Sequence, residues 1–298
     1  MHKTAESVSI PMETAPLLRM AELSWPRIQT LALHGRYITP GQPALLQSVL
    51  TRMPSLRSLR VQVAQLPAFS RPRLLNPLVS LDFAELRSLT IAYPDPDDAI
   101  FSLKTPHLTH LSLRDEPRYY FYLRNRDFLP SSAVAPILGA SECLAILRRM
   151  DVPLLSSLEL VYEADAGEHE LLHHVSTSYP NLAQLELHRY RANDIDVVPY
   201  MSITSTLSKI RSLQALHLNL DWAVMPPVHC KDDAMINSWV IFMHERAQEV
   251  LSILQSCPKF EYVAFLHPRL QCCTWVDYRP SWYPGKRIDA DEYEDRRR

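Results

Sequence analysis

The sequence contains little glycine and no regular cysteine pattern, and each of these absences argues against a class of site. Only 5 of the 298 residues are glycine, whereas 24 are proline. This balance disfavours a glycine-rich phosphate-binding loop and favours short elements that end at prolines. The 5 cysteines include no C-x-x-C pair and are odd in number, which argues against a zinc ribbon and a disulfide framework. We expect reduced cysteines, no metal and no cofactor.

Long apolar runs and a strong net charge are also missing. No apolar stretch approaches the roughly 18 residues that a membrane span needs, and the first 20 residues contain no apolar core of a signal peptide. The formal net charge is −2, whereas nucleic-acid-binding domains are usually strongly basic. We therefore expect a protein of the cytoplasm or nucleus that binds neither nucleic acid nor membrane.

What the sequence does contain is a repeated pattern, P-x-L-x-x-L-x-L, in eight segments, six of them with the proline. Most copies follow one another at about the distance typical of leucine-rich repeats, and two longer intervals leave room for an insertion. The segments are WPRIQTLAL (25–33), MPSLRSLRV (53–61), FAELRSLTI (83–91), TPHLTHLSL (105–113), VPLLSSLEL (152–160), YPNLAQLEL (179–187), IRSLQALHL (210–218) and CPKFEYVAF (257–265).

The pattern predicts strands, and the stretches between several copies predict helices. The last two leucines of each copy are two residues apart and so point to one sheet face. Helical spacing of apolar residues marks 43–53, 141–150 with Ser141 as the N-cap, and 234–256. The last of these carries an apolar stripe that includes Ile236 and Val240. We expect an α/β fold, an irregular solenoid with a parallel sheet on its concave face and helices outside.

The amino-acid sequence of the repeats resembles that of leucine-rich-repeat proteins and, more closely, the repeat region of the large fungal F-box family. The resemblance rests on WPRIQTLALHG, MPSLRSLRV, LRSLTIAYPDPDDAIFSL and PHLTHLSLRD and covers roughly residues 24–266. It implies a substrate receptor of a ubiquitin ligase, in which an F-box docks an adaptor and the repeats select the protein to be modified. We find no F-box here, and the Asn or Cys expected after each strand is also missing, which predicts irregular turns that are satisfied locally.

The expected organisation has four parts. Residues 1–23 form a flexible lead, 24–268 the leucine-rich-repeat domain, 269–288 a capping segment and 289–298 a charged disordered tail.

Charged residues between the leucines are the candidate partner-binding residues of the concave face. The basic ones come first in the chain and the acidic ones later, so that a dipolar protein surface would be steered and oriented. The set is Arg57, Arg60, Arg87, His110, Arg114, Glu159, Glu186 and Glu261. The alternative is that these residues are charged only for solubility.

The segment 114–128, RDEPRYYFYLRNRDF, is the second candidate surface. It interleaves arginine with aromatic residues, a mixture that can anchor a protein contact or stack nucleic-acid bases. The candidate residues are Arg118, Tyr119, Tyr120, Tyr122 and Arg124. The alternative is that the aromatics cover a core and the arginines pair with neighbouring carboxylates.

We find no motif that predicts catalysis. The stretch EHELLHH (168–174) does not have the H-E-x-x-H spacing of a metal site and predicts a short helix, and DPDD (95–98) predicts a turn. We expect a non-catalytic module that binds a protein and no small-molecule substrate. The alternatives are a stand-alone scaffold with no ubiquitin role and, less favoured, a hydrolase whose site is assembled from loops.

Overall fold

A computed structural model describes residues 4–65, 71–77, 83–120, 136–193, 195–224, 232–268 and 273–280. The chain forms two compact units, residues 1–161 and 162–298. Within the described residues the fold is mixed α/β, with eleven strands, six α-helices and one 3-10 helix, and most strand pairs are parallel. None of the described helices is both long and apolar enough to cross a membrane.

Unit 1 places its strands side by side, largely in chain order. β1, β2, β3, β4, β5 and β7 pair in parallel with successive neighbours. The elements are β1 (Ser7–Pro11), α1 (Leu17–Glu22), β2 (Thr30–Arg36), α2 (Gln42–Leu50), β3 (Ser58–Ala64), β4 (Ser88–Ala92), the 3-10 helix (Ala99–Ser102), β5 (His110–Arg114), β6 (Leu138–Gly139), α3 (Ala140–Arg149) and β7 (Ser157–Glu163), whose last two residues belong to unit 2.

Unit 2 continues with the same alternation of helix and strand. β8, β9 and β10 are parallel neighbours, and β11 runs antiparallel to β10. The elements are α4 (Glu168–Ser178), β8 (Gln184–Tyr190), α5 (Tyr200–Leu207), β9 (Ala215–Asn219), α6 (Asp233–Leu254), β10 (Tyr262–Pro268) and β11 (Cys273–Tyr278).

All eight repeat segments run into strands, which confirms the strand prediction. In unit 1, residues at the same motif position also pair in register, so that a row of buried leucines crosses the strands. The row is Leu31, Leu59, Leu89, Leu111 and Leu158. Because side chains alternate between faces, the residues next to these leucines lie on the opposite face of the sheet.

The three predicted helices are confirmed as α2, α3 and α6, but two details of the prediction are wrong. The N-cap of α3 is Gly139, whose N–H donates to Glu142 Oε2 at 3.0 Å. The helix begins at Ala140, so Ser141 lies in its first turn and is not the N-cap. On α6, Ile236 and Val240 of the expected apolar stripe are exposed, whereas Trp239 and Met243 are buried.

The expected flexible lead is also wrong for its described part. Ser7–Pro11 forms β1 in register with β2, and Leu17–Glu22 forms α1, with Leu17 and Met20 buried. At the other end, β11 pairs with β10, within the segment expected to cap the array. The tail, 289–298, lies outside the described residues.

One buried carboxylate accepts hydrogen bonds from three backbone N–H groups of unit 1. Asp98 is buried and accepts hydrogen bonds from the N–H groups of Leu74, Leu75 and Ile100 at 2.5, 3.1 and 3.0 Å. Burial raises the pKa of this carboxyl, and the three N–H donors only partly offset that effect. The turn predicted for residues 95–98 thus has a structural role in which one carboxylate holds two segments of backbone.

Candidate functional site

The candidate site in unit 1 is the polar face of its sheet, the face opposite the row of buried leucines. The strand register places its side chains in rows that cross the sheet. One row is Ser7, Thr30, Ser58, Ser88, His110 and Ser157, and the next is Ser9, Ala32, Arg60, Thr90, Ser112 and Glu159. Most of these side chains carry hydroxyls, but Thr90 and Ser112 are buried, and the Ser112 hydroxyl already donates to Glu159.

The first three predicted basic residues are all exposed. Arg60 lies on β3, on the polar face. Arg57 and Arg87 stand just before β3 and β4, at the edge where the strands begin, and the Arg87 N–H donates to the Arg57 carbonyl at 2.8 Å. The structure therefore brings Arg57 and Arg87 side by side, whereas the sequence indicated only that they were equivalent positions.

The other two predicted basic residues are engaged within the sheet. His110 Nδ1 lies 3.0 Å from the hydroxyl of Ser157 in the neighbouring strand. Arg114, at the end of β5, faces Gln62. With the Gln62 amide turned so that its oxygen faces the guanidinium, Nε donates to that oxygen at 3.2 Å and Nη1 at 2.8 Å. Both side chains are half-buried, so they contribute less to an exposed basic surface than Arg60 does.

Glu159 is not an exposed acid. It accepts hydrogen bonds from the Ser112 hydroxyl at 2.7 Å and from Arg118 Nη2 at 2.6 Å, and only 12% of its side chain is exposed. Arg118 also pairs with Asp115, which is 1% exposed, at 2.9 Å. Burial alone would lower the pKa of Arg118, but the carboxylates of Glu159 and Asp115 outweigh it and raise the pKa above its usual value.

The described part of the second candidate surface, 114–120, is thus tied to the sheet. Arg118 bridges two carboxylates, the Tyr119 N–H donates to Asp115, and the Tyr120 ring lies 5.9 Å from the Arg118 guanidinium carbon. This favours the alternative in which the arginine pairs with neighbouring carboxylates. The other two candidates of this segment, Tyr122 and Arg124, lie outside the described residues.

In unit 2 the corresponding face of β8 to β11 carries a cluster of histidine and aromatic side chains around Glu186. Glu186 Oε1 lies 2.9 Å from His188 Nε2, and Oε2 lies 3.4 Å from His217 Nδ1. The Trp275 ring stacks on His217, with ring centroids 5.0 Å apart, and His217 Nε2 lies 3.3 Å from the Tyr262 hydroxyl. Burial alone would raise the pKa of Glu186, but the two histidines outweigh it and lower the pKa.

Glu186 is therefore on the predicted face but is held by its neighbours, and Glu261 is the exposed one of the two predicted acidic residues of unit 2. Glu261 stands just before β10, where its N–H donates to Gln214 at 2.8 Å. Sequence reasoning missed His188, His217 and Trp275. The alternation of β8 and β9 could have placed the histidines on this face, but Trp275 reaches it only because β11 folds back along β10.

The helix that carries EHELLHH uses its first glutamate for packing. Glu168 accepts from Arg189 Nε at 2.6 Å and from Arg189 Nη2 at 3.1 Å, and the Tyr162 hydroxyl donates to it at 3.2 Å. Arg189 is buried. This segment forms the predicted short helix, α4.

No protein-family model and no curated protein matches this chain, so the residues of the two units are the only basis for an assignment.

Proposed function

We propose that this chain is a non-catalytic, protein-binding module built from leucine-rich-repeat-like units. In the proposed architecture the repeats form an irregular solenoid, with the polar sheet face concave and the helices outside. The polar face of unit 1 is the proposed contact surface. The single observation that carries the proposal is the register of the repeats described above.

Register matters because it makes the positions between the leucines into a continuous surface. Leu59 of β3 pairs with Leu89 of β4, and Arg60 therefore pairs with Thr90. Each further copy adds one strand to the same face, so the contact area grows with the number of repeats rather than with the depth of a cleft. Extended surfaces of this kind are what stacked repeats use to bind proteins.

A role as the substrate receptor of a ubiquitin ligase is a more specific form of the proposal, suggested by the resemblance to fungal F-box proteins. It requires an F-box in the same polypeptide. The genomic sequence upstream of the Met1 codon tests this form: an in-frame three-helix F-box supports the receptor, and its absence favours a stand-alone scaffold.

The binding proposal itself is tested by affinity capture and mass spectrometry with three matched baits. They are the unaltered chain, the double variant Arg60→Glu/Arg87→Glu, and the control Arg211→Glu, which changes an exposed arginine of unit 2. We expect one or more proteins that the unaltered chain and the control retain and the double variant loses, with unchanged thermal unfolding of all three baits. A captured set that is identical for the three would contradict the proposed surface.

A further inference from the structure

Two arginines on neighbouring strands of unit 1 stand side by side without a carboxylate. The Arg87 N–H and the Ser88 N–H both donate to the Arg57 carbonyl, at 2.8 and 3.0 Å, so the two backbones are at the strand spacing of about 4.8 Å. Both side chains are exposed, and Arg57 Nη1 donates to Gln29 Oε1 at 3.3 Å. Within the described residues neither arginine forms an ion pair, so two like charges are adjacent.

Arg60 adds a third charge on the face of the same strand. Its neighbours in register are Ala32 on β2 and Thr90 on β4, both short side chains that leave the longer arginine exposed. The nearest acid of that row, Glu159, is already bound to Arg118 and Ser112. No carboxylate in the described part of unit 1 pairs with the Arg60 guanidinium.

Two serines follow these arginines along the chain. Ser58 follows Arg57, Ser88 follows Arg87, and the two serines are partners in register. Both are half-exposed, and their hydroxyls form no hydrogen bond with other described residues. We call these five residues, Arg57, Ser58, Arg60, Arg87 and Ser88, the arginine–serine patch. It presents three positive charges and two available hydroxyl donors.

We propose that the arginine–serine patch binds an acidic stretch of a protein partner, one whose aspartate or glutamate carboxylates lie across β3 and β4. This inference rests on the proposed function. A carboxylate between Arg57 and Arg87 relieves the repulsion of two neighbouring cations, and a guanidinium can donate two parallel hydrogen bonds to it. Ser58 and Ser88 supply further donors to the stretch from the polar face, and a second carboxylate of the stretch reaches Arg60.

The length of the patch favours the carboxylates of a protein over a small anion. Arg60 lies three residues beyond Arg57, which is about 10 Å in an extended chain. One small anion cannot contact the whole patch, whereas an extended acidic segment places successive charges at that separation.

The test uses the full chain and fluorescein-labelled synthetic peptides. One peptide is rich in glutamate and aspartate, the second has glutamine and asparagine in their place, and the third carries phosphoserines in an otherwise uncharged sequence. We expect the acidic peptide alone to bind in fluorescence anisotropy. Its affinity should fall about tenfold in Arg60→Gln/Arg87→Gln, since each lost charge-assisted bond is worth about tenfold or less at an exposed site. The matched control Arg211→Gln should change it less than twofold, roughly the effect of a distant surface charge.

Several results would overturn the inference. They are no binding of the acidic peptide, equal binding of the uncharged peptide, or binding that the double variant retains. Binding of the phosphoserine peptide alone would assign the patch to phosphate instead of carboxylate. Failure of this inference can be distinguished from failure of the proposed function. If the captured proteins depend on Arg60 and Arg87 but the acidic peptide does not bind, the binding surface stands and only the acidic ligand is excluded.

Discussion

Arg60 of β3 and Glu186 of β8 occupy the same motif position, between the last two apolar residues of their repeat, yet their surroundings are opposite. Arg60 stands between Ala32 and Thr90 and is exposed. Glu186 pairs in register with His217 and also contacts His188, the next residue on its own face. The charge in unit 1 is available to a partner, whereas the charge in unit 2 is used inside the sheet.

The difference shows that a charged residue on a polar sheet face is not by itself a binding residue. Alternation decides the face, and the side chains on the neighbouring strands decide whether the charge is satisfied. Of the three predicted acidic residues, Glu159 is held by Arg118 and Glu186 by two histidines, and Glu261 alone is exposed. The expected basic and acidic halves thus differ in availability as well as in sign.

The largest expected effect comes from the buried pair of unit 2, where Arg189→Met keeps side-chain volume and removes the charge. We expect a loss of about 3 kcal/mol in the free energy of unfolding, because Glu168 would lose its bidentate partner in a mostly buried place. Urea unfolding followed by a probe within unit 2 measures it. The double variant Arg189→Met/Glu168→Gln should recover part of the loss, and no recovery would show that Arg189 acts through packing alone.

A smaller loss, about 2 kcal/mol, is expected for Arg118→Met in unit 1. The change leaves Asp115 and Glu159 near each other without their shared cation, and both are buried or nearly so. Arg57→Met is the matched control, since Arg57 is exposed and donates only to an amide, and should cost less than about 0.5 kcal/mol. Equal urea midpoints for the two variants would remove the distinction between held and available arginines.

The third prediction compares two carboxyls, the buried Asp98 and the partly buried Glu186, whose pKa values move in opposite directions. The pKa of Glu186 is lowered, so the stability it contributes is present above its usual pKa of about 4.3 and is lost as the pH falls below that value. The pKa of Asp98 is raised, so its contribution is present at low pH and is lost as the pH rises through the raised pKa.

Urea unfolding between about pH 3 and pH 6 tests both signs, because this range covers the usual carboxyl pKa values. The stability advantage of the unaltered chain over Glu186→Gln should shrink by on the order of 1 kcal/mol as the pH falls. Its advantage over Asp98→Asn should grow over the same range. Parallel curves for the two variants would contradict the opposite shifts.

Most strands could be predicted from the sequence, because the repeat places apolar residues at fixed intervals that only a strand can bury on one side. β1 could not be predicted, since its two apolar residues, Val8 and Ile10, are too few to form a pattern. The strand is recognised only from its pairing with β2. The exposed Ile236 and Val240 show the converse. Helical spacing identified a stripe on α6, but not the part of it that other elements cover.

The candidate surface was predictable to the extent that it follows alternation. Arg60 was placed correctly on the polar face, whereas the adjacency of Arg57 and Arg87 required the pairing of β3 with β4. The bond between Arg118 and Glu159 was not predictable, since Arg118 lies outside the repeat pattern and is 41 residues from Glu159 in the chain. The approach of Trp275 to His217 depends on an antiparallel strand that the repeat pattern does not include.

The smallest expected effect on stability is at Arg60, the exposed residue in the comparison with Glu186. Arg60→Gln should change the free energy of unfolding by less than about 0.5 kcal/mol, because the side chain is exposed and forms no ion pair with described residues. Thermal and urea unfolding of the purified variant measure this. A loss above about 1 kcal/mol would make Arg60 a structural residue like Arg118, since surface charges without partners rarely contribute that much. A neutral result, together with lost partner binding in the same variant, would separate binding from stability at this position.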